Sequence, residues 1–144
     1  MPGHSSILAL SKPEVLTECP NAAGYSLTRE TLDPTLNTTW DYVRLMYTDA
    51  LKLFPDPYLF LGGDEVNPGC WADNARVATW LKANNISLAN MQGYFEHRLA
   101  AIARNEMGKE VIVWQVCELF LLLIHIYLVT CLVIVYLPAS CSSR

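Results

Sequence analysis

Apolar positions along the first 116 residues fall into short, separated blocks, and the spacing inside each block predicts an element. Val43, Met46, Tyr47, Ala50 and Phe54 recur at steps of three and four, which lays one face of a helix over residues 38–54. Thr38 or Thr39 is the expected cap, and Pro55 and Pro57 end the helix. Tyr58-Leu59-Phe60-Leu61 is a continuous apolar run closed by Gly62-Gly63, which suits a strand buried on both faces of a parallel sheet. Residues 74–83 predict a second helix, capped by Asp73 or Asn74, with Val77, Trp80 and Leu81 turned inward. A third helix is expected after a Ser87 cap. Its stripe is Leu88, Met91, Phe95, Leu99 and Ile102, and Gly108 suits its C-terminal end. Val111–Trp114 is the next buried strand. Residues 1–36 show no sustained period and are punctuated by Pro2, Pro13, Pro20, Gly24 and Pro34, so a long loop with at most one turn of helix is expected there.

The order loop, helix, strand, helix, helix, strand predicts an α/β fold with parallel strands. Two strands neither close a barrel nor complete a sheet, so the chain reads as part of a domain. At Cys117 the pattern changes. From there to Leu137 the chain carries one charge, Glu118, and one histidine, His125, and residues 119–137 are long enough to cross a bilayer as an apolar helix. The expected division is therefore a body, 1–116, and a hydrophobic tail, 117–144.

Composition adds little to this pattern. The chain is 52% hydrophobic and 17% charged, and the apolar excess sits in the tail. The net charge is −4 with no basic block, which gives no support to nucleic-acid binding. Of five cysteines, Cys117, Cys131 and Cys141 lie in the tail. Cys19 and Cys70 in the body are either free buried thiols or a pair formed in an oxidising compartment. Asn37-Thr38-Thr39 and Asn85-Ile86-Ser87 are sequons for N-glycosylation. The opening Met-Pro-Gly-His lacks the basic region and apolar core of a signal peptide, so a secreted parent is expected to begin upstream.

Candidate chemistry concentrates at Asp64-Glu65, directly after the first strand and its two glycines. In parallel α/β folds the C-terminal strand ends carry active sites. Glycines let a substrate approach the backbone closely. Two carboxylates forced together resist double ionisation, and one kept protonated can act as a general acid. A solvated Asp-Glu turn is the bland alternative for the pair by itself. A metal site would need further ligands, with His4 as the available body histidine; no metal and no cofactor is expected.

The segment Phe54-Pro55-Asp56-Pro57-Tyr58-Leu59-Phe60-Leu61-Gly62-Gly63-Asp64-Glu65-Val66, followed by Cys70-Trp71, resembles the signature of family 20 glycoside hydrolases, nearest to the eukaryotic lysosomal, vacuolar and secreted β-N-acetylhexosaminidases. Met1-Pro2-Gly3-His4, Leu36-Asn37-Thr38-Thr39 and Val113-Trp114-Gln115 agree in order and spacing. The resemblance implies a partial (β/α)8 TIM barrel, central strands and helices only. It implies release of terminal β-linked N-acetylglucosamine or N-acetylgalactosamine by substrate-assisted retaining catalysis, in which the substrate's own acetamido oxygen attacks the anomeric carbon. Carried over residue by residue, Glu65 is the general acid/base, Asp64 orients the 2-acetamido group, His4 supports Glu65, and Trp114 walls the acetamido pocket. Cys19 and Cys70 match a family disulfide, and Asn37 matches a glycosylated position. The implied partners are an N-acetylhexosamine-terminated glycan and a second subunit, as a homo- or heterodimer, in a lysosome, vacuole or extracellular space.

The pattern departs from the family at both ends. The acidic residue before Pro-Gly-His and the upstream sugar-binding Arg and Asp are absent. Downstream, Trp114-Gln115 continues as Val116-Cys117 where the family has Glu-Val, and later pocket residues have no counterpart. The chain alone is therefore expected not to turn over substrate. The tail has two readings, a membrane anchor or translated intron. The competing functional class is a non-catalytic truncated isoform, inserted in a membrane or associated with a full-length subunit.

Overall fold

The computed structural model describes residues 1–19 and 29–114, together with the backbone of Val135–Tyr136. Two 3-10 turns, Ser6–Leu10 and Pro13–Val15, lead into strand β1, Leu16–Glu18, which pairs antiparallel with β2, Arg29–Leu32. Helix α1 spans Asn37–Leu53 and is followed by strand β3, Tyr58–Gly62. Helices α2, Gly69–Asp73, and α3, Ala75–Ala83, come next, then a 3-10 turn, Leu88–Asn90, that runs into α4, Met91–Asn105. Strand β4, Glu110–Val113, lies parallel to β3, with Leu59 opposite Val111 and Phe60 opposite Ile112. The long connection through three helices is what parallel neighbours require.

The helices form where the apolar spacing places them, and their ends show why. Asn74 caps α3, its side-chain oxygen accepting from the amides of Arg76 and Val77, a contact worth about 1 kcal/mol. Ser87 accepts from the Asn90 amide before α4. Helix α1 differs: it begins at Asn37 with Leu36 at its cap and no capping side chain. Thr39 is drawn elsewhere, because its buried hydroxyl donates to the Val15 carbonyl at 3.2 Å and ties α1 to the segment before β1.

The main core sits between α1, α4 and the inner face of β3 and β4. Val43, Tyr47, Phe95, Leu99, Ile102, Leu61, Val111 and Val113 belong to one buried cluster. Trp40 stacks against Phe95 at 4.9 Å and carries the Arg98 guanidinium over its ring at 4.3 Å. A second cluster, Trp71, Val77, Leu81 and Met91, packs α2 and α3 against the start of α4.

Three expectations change. Residues 1–36 are not one loop, since β1 and β2 form a hairpin anchored by contacts distant in sequence. The Trp71 indole donates to the Leu32 carbonyl, and the Leu32 amide donates to that of Pro2. Strands of three and four residues are too short to show a period. Burial of β3 is one-sided: Leu61 is buried while Tyr58 and Phe60 are 50% and 44% exposed, because the helices cover the face of Leu59, Leu61, Val111 and Val113. The apolar helix predicted over 119–137 falls outside the described residues except at Val135–Tyr136. Those two positions form a strand, β5, antiparallel to β4, with Tyr136 opposite Ile112 and Val135 opposite Val113. Among the described residues no helix is long and apolar enough to cross a membrane.

Candidate active site

The site grows from the C-terminal end of β3. Gly62 and Gly63 turn the chain with φ of +77° and +107°, where a side chain would meet backbone at the first position and would have to displace Glu96 at the second. A Cβ on Gly62 would stand 2.6 Å from the backbone nitrogen of Met1, and one on Gly63 would stand 2.6 Å from Glu96 Oε1. Glu65 then adopts φ +51°, and His4, in the neighbouring segment, +55°. A left-handed conformation at a non-glycine residue costs on the order of 1–3 kcal/mol, and such strain gathers at functional positions.

The first residues run beside β3 and present His4. The Met1 nitrogen donates to the Leu61 carbonyl at 2.8 Å, and the Ser5 hydroxyl folds back onto the carbonyls of Pro2 and Gly3 at 3.1 Å each. His4 Nε2 consequently lies 3.5 Å from Asp64 Oδ2 and 3.7 Å from Glu65 Oε2. The three side chains stay open to solvent at 60%, 44% and 81% exposure, so an arriving ligand meets them directly. They offer one ligand atom each within 4.8 Å of one another, but three exposed groups form a loose set for a cation.

Trp114 follows the last residue of β4. Its amide donates to the Gly62 carbonyl at 2.9 Å, and its ring meets Phe60 edge-on at 4.9 Å. Parallel pairing of β3 and β4 therefore brings Trp114 to the strand end from which Asp64 and Glu65 depart. Cys19 and Cys70, left open by counting, are joined by a disulfide that ties the end of β1 to the start of α2, five residues beyond Glu65. Asn37 and Asn85 are both exposed. A surface cavity of about 280 Å³ lined by Glu14, Glu18, Arg29, Asn74 and Arg76 includes none of His4, Asp64, Glu65 or Trp114.

Sequence reasoning missed Gln92 and Glu96. Gln92 Nε2 donates to the Gly63 carbonyl at 2.8 Å and to Glu96 Oε1 at 2.7 Å. Both residues sit on α4 beside its apolar stripe; their separation of four, which stacks two polar side chains one turn apart, is the signal that could have found them. Burial is the largest influence on Glu96 and pushes its carboxyl above the ordinary glutamate value of 4.5, opposed by the Gln92 bond and the nearby terminal amine. The folded state thus holds this proton more tightly than the unfolded chain. Its contribution to stability is full below pH 4.5 and lost as pH rises through the folded value. Urea unfolding of the wild type and of Glu96→Gln should show the wild type losing ground as pH rises from 4.5 toward neutrality; parallel pH profiles would contradict this.

Comparison with known proteins shows the family and the fold. Residues 1–121 match the model of glycosyl hydrolase family 20, catalytic domain. Beta-hexosaminidase subunit A2 of Dictyostelium discoideum is 32% identical over 115 residues, covering 80% of this chain and 20% of that protein. Beta-hexosaminidase subunit alpha of Mus musculus is 30% identical over 115 residues, covering 79% of this chain and 22% of that protein. The chain thus spans about a fifth of the length of these relatives. In fold it is similar to a GH20 exo-β-N-acetylglucosaminidase from Vibrio harveyi, solved in complex with N-acetylglucosamine. The TM-score is 0.63 at 24% identity, over 80% of this chain and 19% of that one. With a family match over residues 1–121 of its 144, the chain belongs to glycosyl hydrolase family 20.

Proposed function

We propose that this chain carries the acid/base half of a β-N-acetylhexosaminidase active site, set on two neighbouring strands of a (β/α)8 barrel. The observation that carries the reading is the convergence of His4, Asp64 and Glu65 at the end of β3, beside Trp114 at the end of the parallel strand β4. Glu65, the most exposed of the three, is the general acid/base that protonates the leaving oxygen. Asp64 orients the 2-acetamido group and stabilises charge on its nitrogen. Adjacent carboxylates fit this division, since the nucleophile is the substrate's own acetamido oxygen and no second carboxylate is needed on the opposite face of the sugar. His4 lies close enough to both to orient them, and the Trp114 ring offers an apolar wall to the acetamido methyl.

The substrate is a glycan ending in β-linked N-acetylglucosamine or N-acetylgalactosamine. The Cys19–Cys70 disulfide and the exposed Asn37 sequon support a secretory route to a lysosome, vacuole or the outside. Residues 1–116 are the catalytic-domain portion and 117–144 an appended hydrophobic tail. Assembly with a second subunit follows the family.

Titration of the labelled chain with N-acetylglucosamine tests the site. Amide resonances of Asp64, Glu65 and Trp114 should shift while those of α1 do not, and glucose, which lacks the acetamido group, should leave them in place. An equal response to glucose would remove the acetamido assignment.

A further inference from the structure

Gln92 and Glu96 stand four apart on α4 and meet the turn that carries the two carboxylates. One amide nitrogen has two hydrogens, so Gln92 can serve the Gly63 carbonyl and Glu96 Oε1 together. Two acceptors on one side fix which way the amide faces. Glu96, 9% exposed, fills the space a side chain at residue 63 would occupy. The peptide unit between Gly63 and Asp64 is planar, so holding the Gly63 oxygen also holds the Asp64 nitrogen and Cα.

We propose that Gln92 and Glu96 are positioning residues, a brace from α4 that sets the Gly63–Asp64 peptide and thereby aims Asp64 and Glu65 at His4. The brace is a statement about the turn; its consequence for catalysis rests on the function proposed above. Glu96 acts through Gln92 and touches no substrate. Its acceptor oxygen, rather than its volume, is what the brace requires.

That last point makes the test. Backbone order parameters are measured by nitrogen-15 relaxation on the full chain and on Gln92→Ala, Glu96→Gln and Glu96→Leu. In the wild type, residues 63–65 should be as rigid as α1, at about 0.85. Gln92→Ala and Glu96→Leu should drop residues 63–65 below about 0.6 while α1 and β4 keep their values, and Glu96→Gln, which retains the acceptor, should preserve rigidity. The proposal is overturned by a turn already mobile in the wild type, by no change in Gln92→Ala, by equal loss of order in α1, or by identical behaviour of Glu96→Gln and Glu96→Leu, the mark of packing alone. The N-acetylglucosamine titration is run in parallel on the wild type. A silent titration with a rigid, Gln92-dependent turn would count against the functional reading and leave the brace standing.

Discussion

Glu65→Gln is expected to lower turnover of a β-N-acetylglucosaminide by on the order of 10²–10⁴-fold, the usual contribution of a positioned general acid. Glutamine keeps the size and hydrogen-bonding reach of the side chain but has no proton to give, so substrate binding should change little and the loss should fall on kcat. The effect should be larger for a sugar leaving group than for a nitrophenol, because nitrophenolate departs without protonation. Residues 1–114 of this chain, placed in a hexosaminidase such as the murine alpha subunit in exchange for the matching segment, give a background in which the pocket is complete. The chimera and its Glu65→Gln variant are compared with circular dichroism alongside. Undiminished kcat on a disaccharide substrate would sink the assignment of Glu65. A loss confined to KM would reassign it to binding.

Removal of the Cys19–Cys70 disulfide is the largest expected effect on stability. The bond spans 51 residues, enclosing β2, α1, β3 and the Asp64–Glu65 turn. Closing a loop of that length restrains the unfolded chain by about 4 kcal/mol in the entropy model. Domains of this size shift by roughly 4 °C per kcal/mol, so Cys70→Ser should lower Tm by on the order of 15 °C. Cys70 is fully buried beside Trp71, whose indole holds the Leu32 carbonyl, so loosening should appear first at the start of α2 and in the hairpin. Thermal unfolding of Cys70→Ser and of the wild type, with and without reductant, checks this. A Tm within about 2 °C of the oxidised wild type would show that the cross-link adds nothing beyond the native packing.

Helices α1, α3 and α4 were legible because each buries one stripe against a shared core, and that demand writes a period of three and four into the sequence: Val43 and Tyr47, Val77 and Leu81, Phe95 and Leu99 are all buried. Strands β3 and β4 were legible as apolar runs, but their one-sided burial was not. Alternation between the exposed Tyr58 and Phe60 and the buried Leu61 is hidden when both faces carry apolar residues. The hairpin β1–β2 left no local signal, since a disulfide, a bond from the Trp71 indole and a bond to the Pro2 carbonyl help hold it. Helix α2, at five residues, is too short to show a stripe.

In the site, Asp64-Glu65 stood out because two carboxylates after a buried strand and two glycines form a local pattern. His4 and Trp114 carried meaning through resemblance alone, as neither position is unusual by itself. Their approach to the pair depends on the path of the first residues along β3 and on the parallel pairing of β3 with β4. Gln92 and Glu96 were invisible in that sense, because a polar pair on a helix is normally a solvated one.

The sequence by itself determined the helical stripes, the two apolar strands, the family signature around Asp64-Glu65 and the residue types of its chemistry. Each of these is set by neighbours within a few turns of chain. The Cys19–Cys70 pairing was expected from the family resemblance, whereas tertiary structure alone decided the hairpin, the placing of His4 within 3.5 Å of Asp64, and the contact from α4 that holds Gly63. Those depend on bonds between residues 29 to 60 positions apart, and no local spacing records which distant partner will close them.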